Sequence, residues 1–225
     1  MAARRPAASK SSRAPGPPRK RAVPPGSAPL PVDDSLDALR VAAAGCKRCD
    51  LWKPATQTVF GAGPDNARIL VVGEQPGDAE DLSGLPFVGP AGGMLDRALE
   101  ELGLDRRRMY VTNAVKHFKF ERRGKHRLHR SPNPGEQRAC RVWLEGELAR
   151  IRPAVVVCLG AIAARNIFGT TFGLMKQRGT WQALADGTRA FATVHPSWIL
   201  RQRDSQSRDE AYRGFVADLA LLLDI

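Results

Sequence analysis

The sequence predicts an α/β protein, a three-layer α/β/α arrangement around a mainly parallel central sheet. Three observations carry that expectation. Four short apolar runs, Arg68-Ile-Leu-Val-Val-Gly73, Met109-Tyr-Val-Thr-Asn113, Ala154-Val-Val-Val-Cys-Leu159 and Phe191-Ala-Thr-Val194, have the near-continuous hydrophobicity of buried strands. Segments with helical spacing alternate with them, which favours parallel pairing through crossovers. Three of the runs lead into polar segments, Gly73-Glu74-Gln75-Pro76-Gly77-Asp78, Thr112-Asn113-Ala114-Val115-Lys116-His117 and His195-Pro196-Ser197, at the place where such sheets bind ligands.

Taken in order, residues 1–32 are rich in Pro, Ala, Arg and Ser and are expected to form a disordered basic tail. Residues 33–225 are expected to form a single domain. Ser35 can cap a helix reaching Ala44, with Gly45 as its stop. After the first strand a Gly/Pro-rich loop is expected to about Gly92. Met94, Leu95, Ala98, Leu99 and Leu102 then share a helix face that Gly103 ends. Beyond the second strand lies a basic loop. Pro134 suits a first helical turn, with Glu136 near its positive end, for a helix to about Arg150. Ala161–Phe168 and Asp209–Leu223 read as further helices, the latter amphipathic.

The formal charge is +12 and the pI about 10.3, which points to a polyanionic partner. The tail holds seven cations and no acid, a pattern that a solvated tail explains. A second cluster, Lys116, Lys119, Arg122, Arg123, Lys125, Arg127 and Arg130 against Glu121, interrupts a folded pattern, so nucleic-acid contact is expected there. No stretch is long and apolar enough to span a membrane, and no apolar signal core follows the basic start. The sequence reads as cytoplasmic and monomeric.

Four cysteines are present: Cys46, Cys49, Cys140 and Cys158. Cys46-Lys-Arg-Cys49 is a common chelating arrangement. A disulfide set is unexpected in a cytosolic chain, and Cys158 in a strand can equally be packed core. On the residues alone, zinc and an iron–sulfur cluster both stay open.

Gly73-Glu-Gln-Pro-Gly-Asp-x-Glu-Asp81, Pro86-Phe-Val-Gly-Pro-Ala-Gly92, Thr112-Asn-Ala-Val-Lys-His117 and His195-Pro-Ser197 together resemble the iron–sulfur uracil-DNA glycosylases, from about Cys46 to Arg201. Two groups of that superfamily are relevant. Family 4 enzymes turn over. The UdgX group excises uracil and stays attached to the abasic sugar through a histidine. The inserted basic loop Phe118 to Arg130 looks like the UdgX loop, which typically reads Lys-Arg-Arg-Ile-His-Gln. Here Lys125-His126-Arg127-Leu128-His129-Arg130 keeps the terminal His, with Leu for Ile and His126 for an Arg. The resemblance implies a 4Fe–4S cluster on Cys46, Cys49, Cys140 and Cys158, and uracil-containing DNA, single- or double-stranded, as partner.

It also implies residue roles. A flipped uracil needs a π face and an edge reader. Phe87 would stack on the base, and Asn113, donor and acceptor together, would read N3–H and O4. Core packing and a strand-end cap are the plain alternatives. His195 would stabilise the leaving uracil at O2. Glu74, with Gln75 beside it and Asp78 in the same motif, would face the sugar. His129 would attack C1′ as a neutral imidazole, with Glu74 taking or holding its proton. The plainer role for His129 is a phosphate contact. Ser197 and Arg201 are candidate phosphate contacts. Lys125 and Arg127 are expected to meet DNA. Trp198 would wedge into the helix or stack on a base. Three other readings remain: a turnover family 4-like glycosylase, a non-catalytic iron–sulfur DNA-binding protein, and a nucleotide-phosphate module. The last is weakened because Gly73–Gly77 lacks a Gly-Lys-Ser/Thr ending.

Overall fold

The computed structural model describes residues 35–225; the tail expected over 1–32 lies outside the described residues. Strands β1 (Ile69–Gly73), β2 (Met109–Asn113), β5 (Val155–Leu159) and β7 (Arg189–Thr193) pair in parallel in the order β2-β1-β5-β7, and the two-residue β6 (Gln182–Ala183) joins β7 antiparallel at the edge. All of β2 and β5 is buried, as their continuous apolar sequence requires.

Helices cover both faces. α1 (Leu36–Ala44), α4 (Pro134–Ile151) and α5 (Ala161–Phe168) bury Leu39, Trp143, Leu144 and Ala164 against one face; α3 (Pro90–Glu101), α7 (Pro196–Leu200) and α8 (Ser205–Leu219) bury Leu95, Leu99, Ile199 and Phe215 against the other. The expected Ser35 cap forms, its Oγ accepting from Ala38 N at 3.1 Å; Pro134 opens α4 as expected, and Asn133, not foreseen, makes a reciprocal capping box with Glu136 ahead of it.

The terminal helix, expected over Asp209–Leu223, is α8, starting a turn earlier at Ser205 behind the Asp204 cap and ending at Leu219, and three other segments differ from expectation. Helix α3 starts at Pro90, a turn before the apolar stripe, because Pro suits the first helical position. The Gly/Pro loop contains a short helix α2 (Asp78–Ser83) whose Glu80 accepts from Gly77 N and Gly89 N, both at 2.9 Å, and so closes the loop on itself. The basic loop is a hairpin, β3 (Phe120–Arg123) with β4 (His126–His129), turning at Gly124-Lys125. Gly124 has φ +60° and Lys125 does not have positive φ, the pattern of a type II′ turn. Helix α6 (Leu174–Gln177) lies between α5 and β6.

Candidate active site

The carboxyl ends of β1, β2, β5 and β7 deliver Glu74, Asn113, Gly160 and His195 to one edge of the sheet, where two adjoining cavities open. The first, about 450 Å³, holds Phe87, Asn113, Asp78 and Ala91. The second, about 530 Å³, holds Glu74, Leu128, Met175 and Trp198. Gln75, His129, His195, Ser197 and Arg201 line both.

The first cavity is shaped by close contacts. A Cβ at Gly73 would stand 2.3 Å from Asn113 Oδ1 and 2.6 Å from Phe87 Cζ, so glycine at the end of β1 makes room for both. Phe87 is buried with φ +55°, a costly conformation for an aromatic residue. Arg106 holds it there, donating to the Phe87 carbonyl at 3.0 Å and the Pro86 carbonyl at 3.2 Å. Asn113 Oδ1 is buried with no hydrogen-bond partner. Such an acceptor costs about 1–3 kcal/mol unless a ligand N–H meets it.

A wholly buried network sits under Asn113. Lys116 Nζ donates to the Asn113 carbonyl at 2.8 Å, to Thr112 Oγ1 at 2.6 Å and to Glu147 Oε2 at 2.6 Å. Glu147 also accepts from Tyr110 OH at 3.0 Å and Gly61 N at 3.1 Å. Lys116, counted in the cationic cluster expected to meet nucleic acid, is instead wholly buried and paired with Glu147, and so cannot reach a phosphate; Glu147 and Tyr110 escape sequence reasoning. The available signal is a carboxylate at position 147, on the same face of α4 as Trp143 and Leu144.

His195 is held by α7. Ser197 N donates to its Nδ1 at 3.1 Å, and Ser197 Oγ lies 2.8 Å from the same nitrogen. A ring nitrogen that accepts from a backbone N–H carries no proton, so the proton is on Nε2. Burial, followed by the charges of His129 and Arg201, pushes the His195 pKa down to about 4, and the ring is neutral near pH 7. The rings of His195 and Phe87 are 6.0 Å apart.

His129 ends β4, half-exposed, with Nε2 3.8 Å from Glu74 Oε1. Burial lowers its pKa below the usual value; Glu74 opposes that shift and Arg201 adds to it. Glu74 Oε1 is itself buried and has no hydrogen-bond partner. The hairpin that carries His129 is pinned at two points. Gln75 Nε2 donates to the Lys119 and Arg130 carbonyls at 3.2 and 3.0 Å, and its Oε1 accepts from Lys119 N at 3.1 Å. Gln75 therefore spends its amide on the hairpin base rather than on a substrate.

Arg127, expected at DNA, is turned inward. It pairs with Asp78 through Nε and with the fully buried Asp81 at 2.6 Å through Nη1, and it lies over the Phe118 and Phe120 rings. Asp78 correspondingly serves Arg127 at the cavity wall. Lys125 stays exposed at the turn, and Trp198 and Arg201 are exposed at the cavity rim.

The cysteines gather on the α1/α4/α5 face. Cys46, Cys140 and Cys158 are buried in one apolar cluster, and Cys49 packs on it. Trp143 Nε1 donates to Cys46 Sγ and Lys116 N to Cys140 Sγ, each at 3.1 Å. Burial pushes the Cys140 thiol up to about 12, Lys116 opposes this, and Cys46 and Cys49 are near enough to raise it further. Burial alone raises Cys158. Among the described residues no three Cys, His, Asp or Glu side chains converge at metal-binding distance. The donor set, four thiols from three segments with N–H donors aimed at two sulfurs, suits an iron–sulfur cluster in its chemistry.

A parallel α/β sheet with a cavity at the carboxyl ends of its strands, lined by a few convergent polar groups, is the ligand-binding layout of open α/β proteins. The chain belongs to the uracil DNA glycosylase superfamily, whose pattern it matches over residues 60–220. It is 42% identical over 190 residues to the type-4 uracil-DNA glycosylase of Archaeoglobus fulgidus, covering 81% of this chain and 90% of that protein. It is 37% identical over 164 residues to the type-4 uracil-DNA glycosylase of Thermotoga maritima, covering 72% and 82%. A type-5 uracil-DNA glycosylase of Pyrobaculum aerophilum is 32% identical over 169 residues, covering 67% and 70%.

Proposed function

We propose that the protein excises uracil from DNA and then remains joined to the abasic sugar through His129. The observation that carries the first half is the unpartnered Asn113 Oδ1 in a cavity shared with Phe87 and a neutral His195. Asn113 would accept from uracil N3–H and donate to O4, and Phe87 would stack on the ring. As the C1′–N1 bond breaks, its electron pair passes to uracil, and His195 Nε2–H meets the negative charge at O2. Glu74 would hold negative charge beside the cationic sugar. The names of the relatives support excision.

The second half rests on the hairpin and on His129 Nε2 near Glu74. With its pKa held below the ordinary value, His129 is neutral at pH 7, and in its Nδ1–H tautomer the Nε2 lone pair would form the bond to C1′. The new imidazolium then loses its Nδ1 proton to solvent, and the uracil anion takes one from solvent, so the protons balance. Cys46, Cys49, Cys140 and Cys158 would hold a 4Fe–4S cluster, which when bound supplies cross-links between the exit of α1, helix α4 and strand β5. Lys125 and Arg201 would meet phosphates. Among the described residues no helix is long and apolar enough to cross a membrane. We read the protein as a cytoplasmic monomer.

Incubating the protein with a uracil-containing oligonucleotide on a denaturing gel, beside a thymine control, tests both halves. A uracil-dependent band surviving SDS and heat is expected. His129→Ser should abolish that band and leave free abasic product. Capture by the native protein should be flat with pH above neutrality and fall as acid protonates His129, below its ordinary value near 6.5. Free abasic product from the native protein would instead mark a turnover glycosylase, the reading its type-4 relatives favour.

A further inference from the structure

The second cavity lies beyond Phe87 and Asn113, which line only the first, yet the two adjoin: Gln75, His129, His195, Ser197 and Arg201 line both. Its far side is apolar and comes from three separate elements, Leu128 on β4, Leu174 and Met175 on α6, and Trp198 on α7. Leu128, Met175 and Trp198 are 40%, 64% and 37% exposed, so three large apolar side chains face solvent around one hollow. Exposed apolar groups grouped in this way mark a binding site.

We propose that this cavity is a subsite for the nucleobase next to the flipped uridine on the same strand. The inference rests on the uracil-DNA reading above. With uracil against Phe87 and its sugar at the His129–Glu74 wall, the strand leaves across Ser197 and Arg201, the polar groups that both cavities share. The next base then arrives at the second cavity. A flat indole and a thioether are suited to a base face, and stacking of this kind tolerates any sequence. The phosphate between the two nucleosides meets the Arg201 cation, which is exposed at the rim of both cavities. A neighbour seated there has left its own partner strand, so the subsite makes single-stranded DNA the preferred substrate.

The test uses the full chain and three single-stranded oligonucleotides: one unmodified, one with the 5′ neighbour of uracil replaced by a tetrahydrofuran spacer, and one with the 3′ neighbour replaced. Uracil release is measured under single-turnover conditions. One spacer, on one side only, is expected to slow release roughly 5- to 100-fold. Met175→Ala lines only the second cavity and is mostly exposed, so it should fold normally. It should slow release from the unmodified strand and erase much of the spacer effect. Release from the matching duplex should be slower by on the order of tenfold, since two bases must leave the stack. Equal rates with all three oligonucleotides, or a full spacer effect in Met175→Ala, would overturn the subsite while leaving uracil excision intact. No release from the unmodified strand would overturn both readings.

Discussion

Phe87 and Asn113 show how single residues are made exact by their neighbours. Phe87 takes a left-handed backbone conformation costing about 1–3 kcal/mol, sustained by Arg106 on two successive carbonyls. Asn113 is fixed from below, because Lys116 Nζ holds its carbonyl while Oδ1 stays unpartnered. Lys116 and Glu147 are both fully buried, so removing one alone strands a charge and destabilises the fold by about 3–5 kcal/mol. The double variant Lys116→Met with Glu147→Gln removes both charges. It should stay folded and bind undamaged DNA normally, while uracil excision falls about tenfold as the Asn113 anchor is lost. Asn113→Ala is the benchmark. Equal losses in excision and general DNA binding would assign Lys116 to stability alone.

At the scale of elements, the hairpin β3–β4 decides where His129 stands. It adds nothing to the main sheet, and a lone two-stranded hairpin is marginal in water. Its position comes from Gln75 at the base and from Arg127 bound to Asp78 and Asp81. Arg127→Met strands the buried Asp81 carboxylate and should lower the melting temperature; in the protein that stays folded, covalent capture should fall by at least about tenfold, with a smaller loss in excision, because Asn113, Phe87 and His195 lie on other elements. Arg127→Met should leave the salt dependence of undamaged-DNA binding unchanged, whereas Lys125→Met should lower its slope by about one. A reduced slope in Arg127→Met would place that guanidinium at a phosphate.

For the whole molecule, the parallel sheet carries unlike chemistries in different places, one at its strand ends and one in a helical layer. The site opens at the carboxyl ends of the strands, and the thiols lie within the α1/α4/α5 layer. The two regions meet at Lys116, whose backbone N–H reaches Cys140 while its ammonium reaches Asn113. If the thiols hold a 4Fe–4S cluster, native protein should contain about four irons with visible charge-transfer absorbance. Cys140→Ala should lose both and melt at lower temperature. Full iron content in that variant would remove Cys140 from the ligand set.

The strands, the α1 cap, the Pro134 start of α4 and helix α5 were legible in the sequence, because burial on both faces and cap chemistry are local properties of contiguous residues. So were Glu74, Asn113 and His195 as a set, since each follows a strand and parallel strands bring such positions to one edge. The hairpin was hidden because its strands are charged and lack an apolar alternation; only Gly124-Lys125 marked its turn. The inward turn of Arg127, the commitment of Gln75 to the hairpin base, and the pairing of buried Lys116 with Glu147 are contacts between residues 31 to 55 positions apart. No local pattern encodes them. Sequence by itself determined which groups the site contains and which strand ends present them; tertiary structure alone decided which of those groups face a ligand and which are consumed in holding the others, because hydrogen-bond capacity is shared out only once the chain has closed.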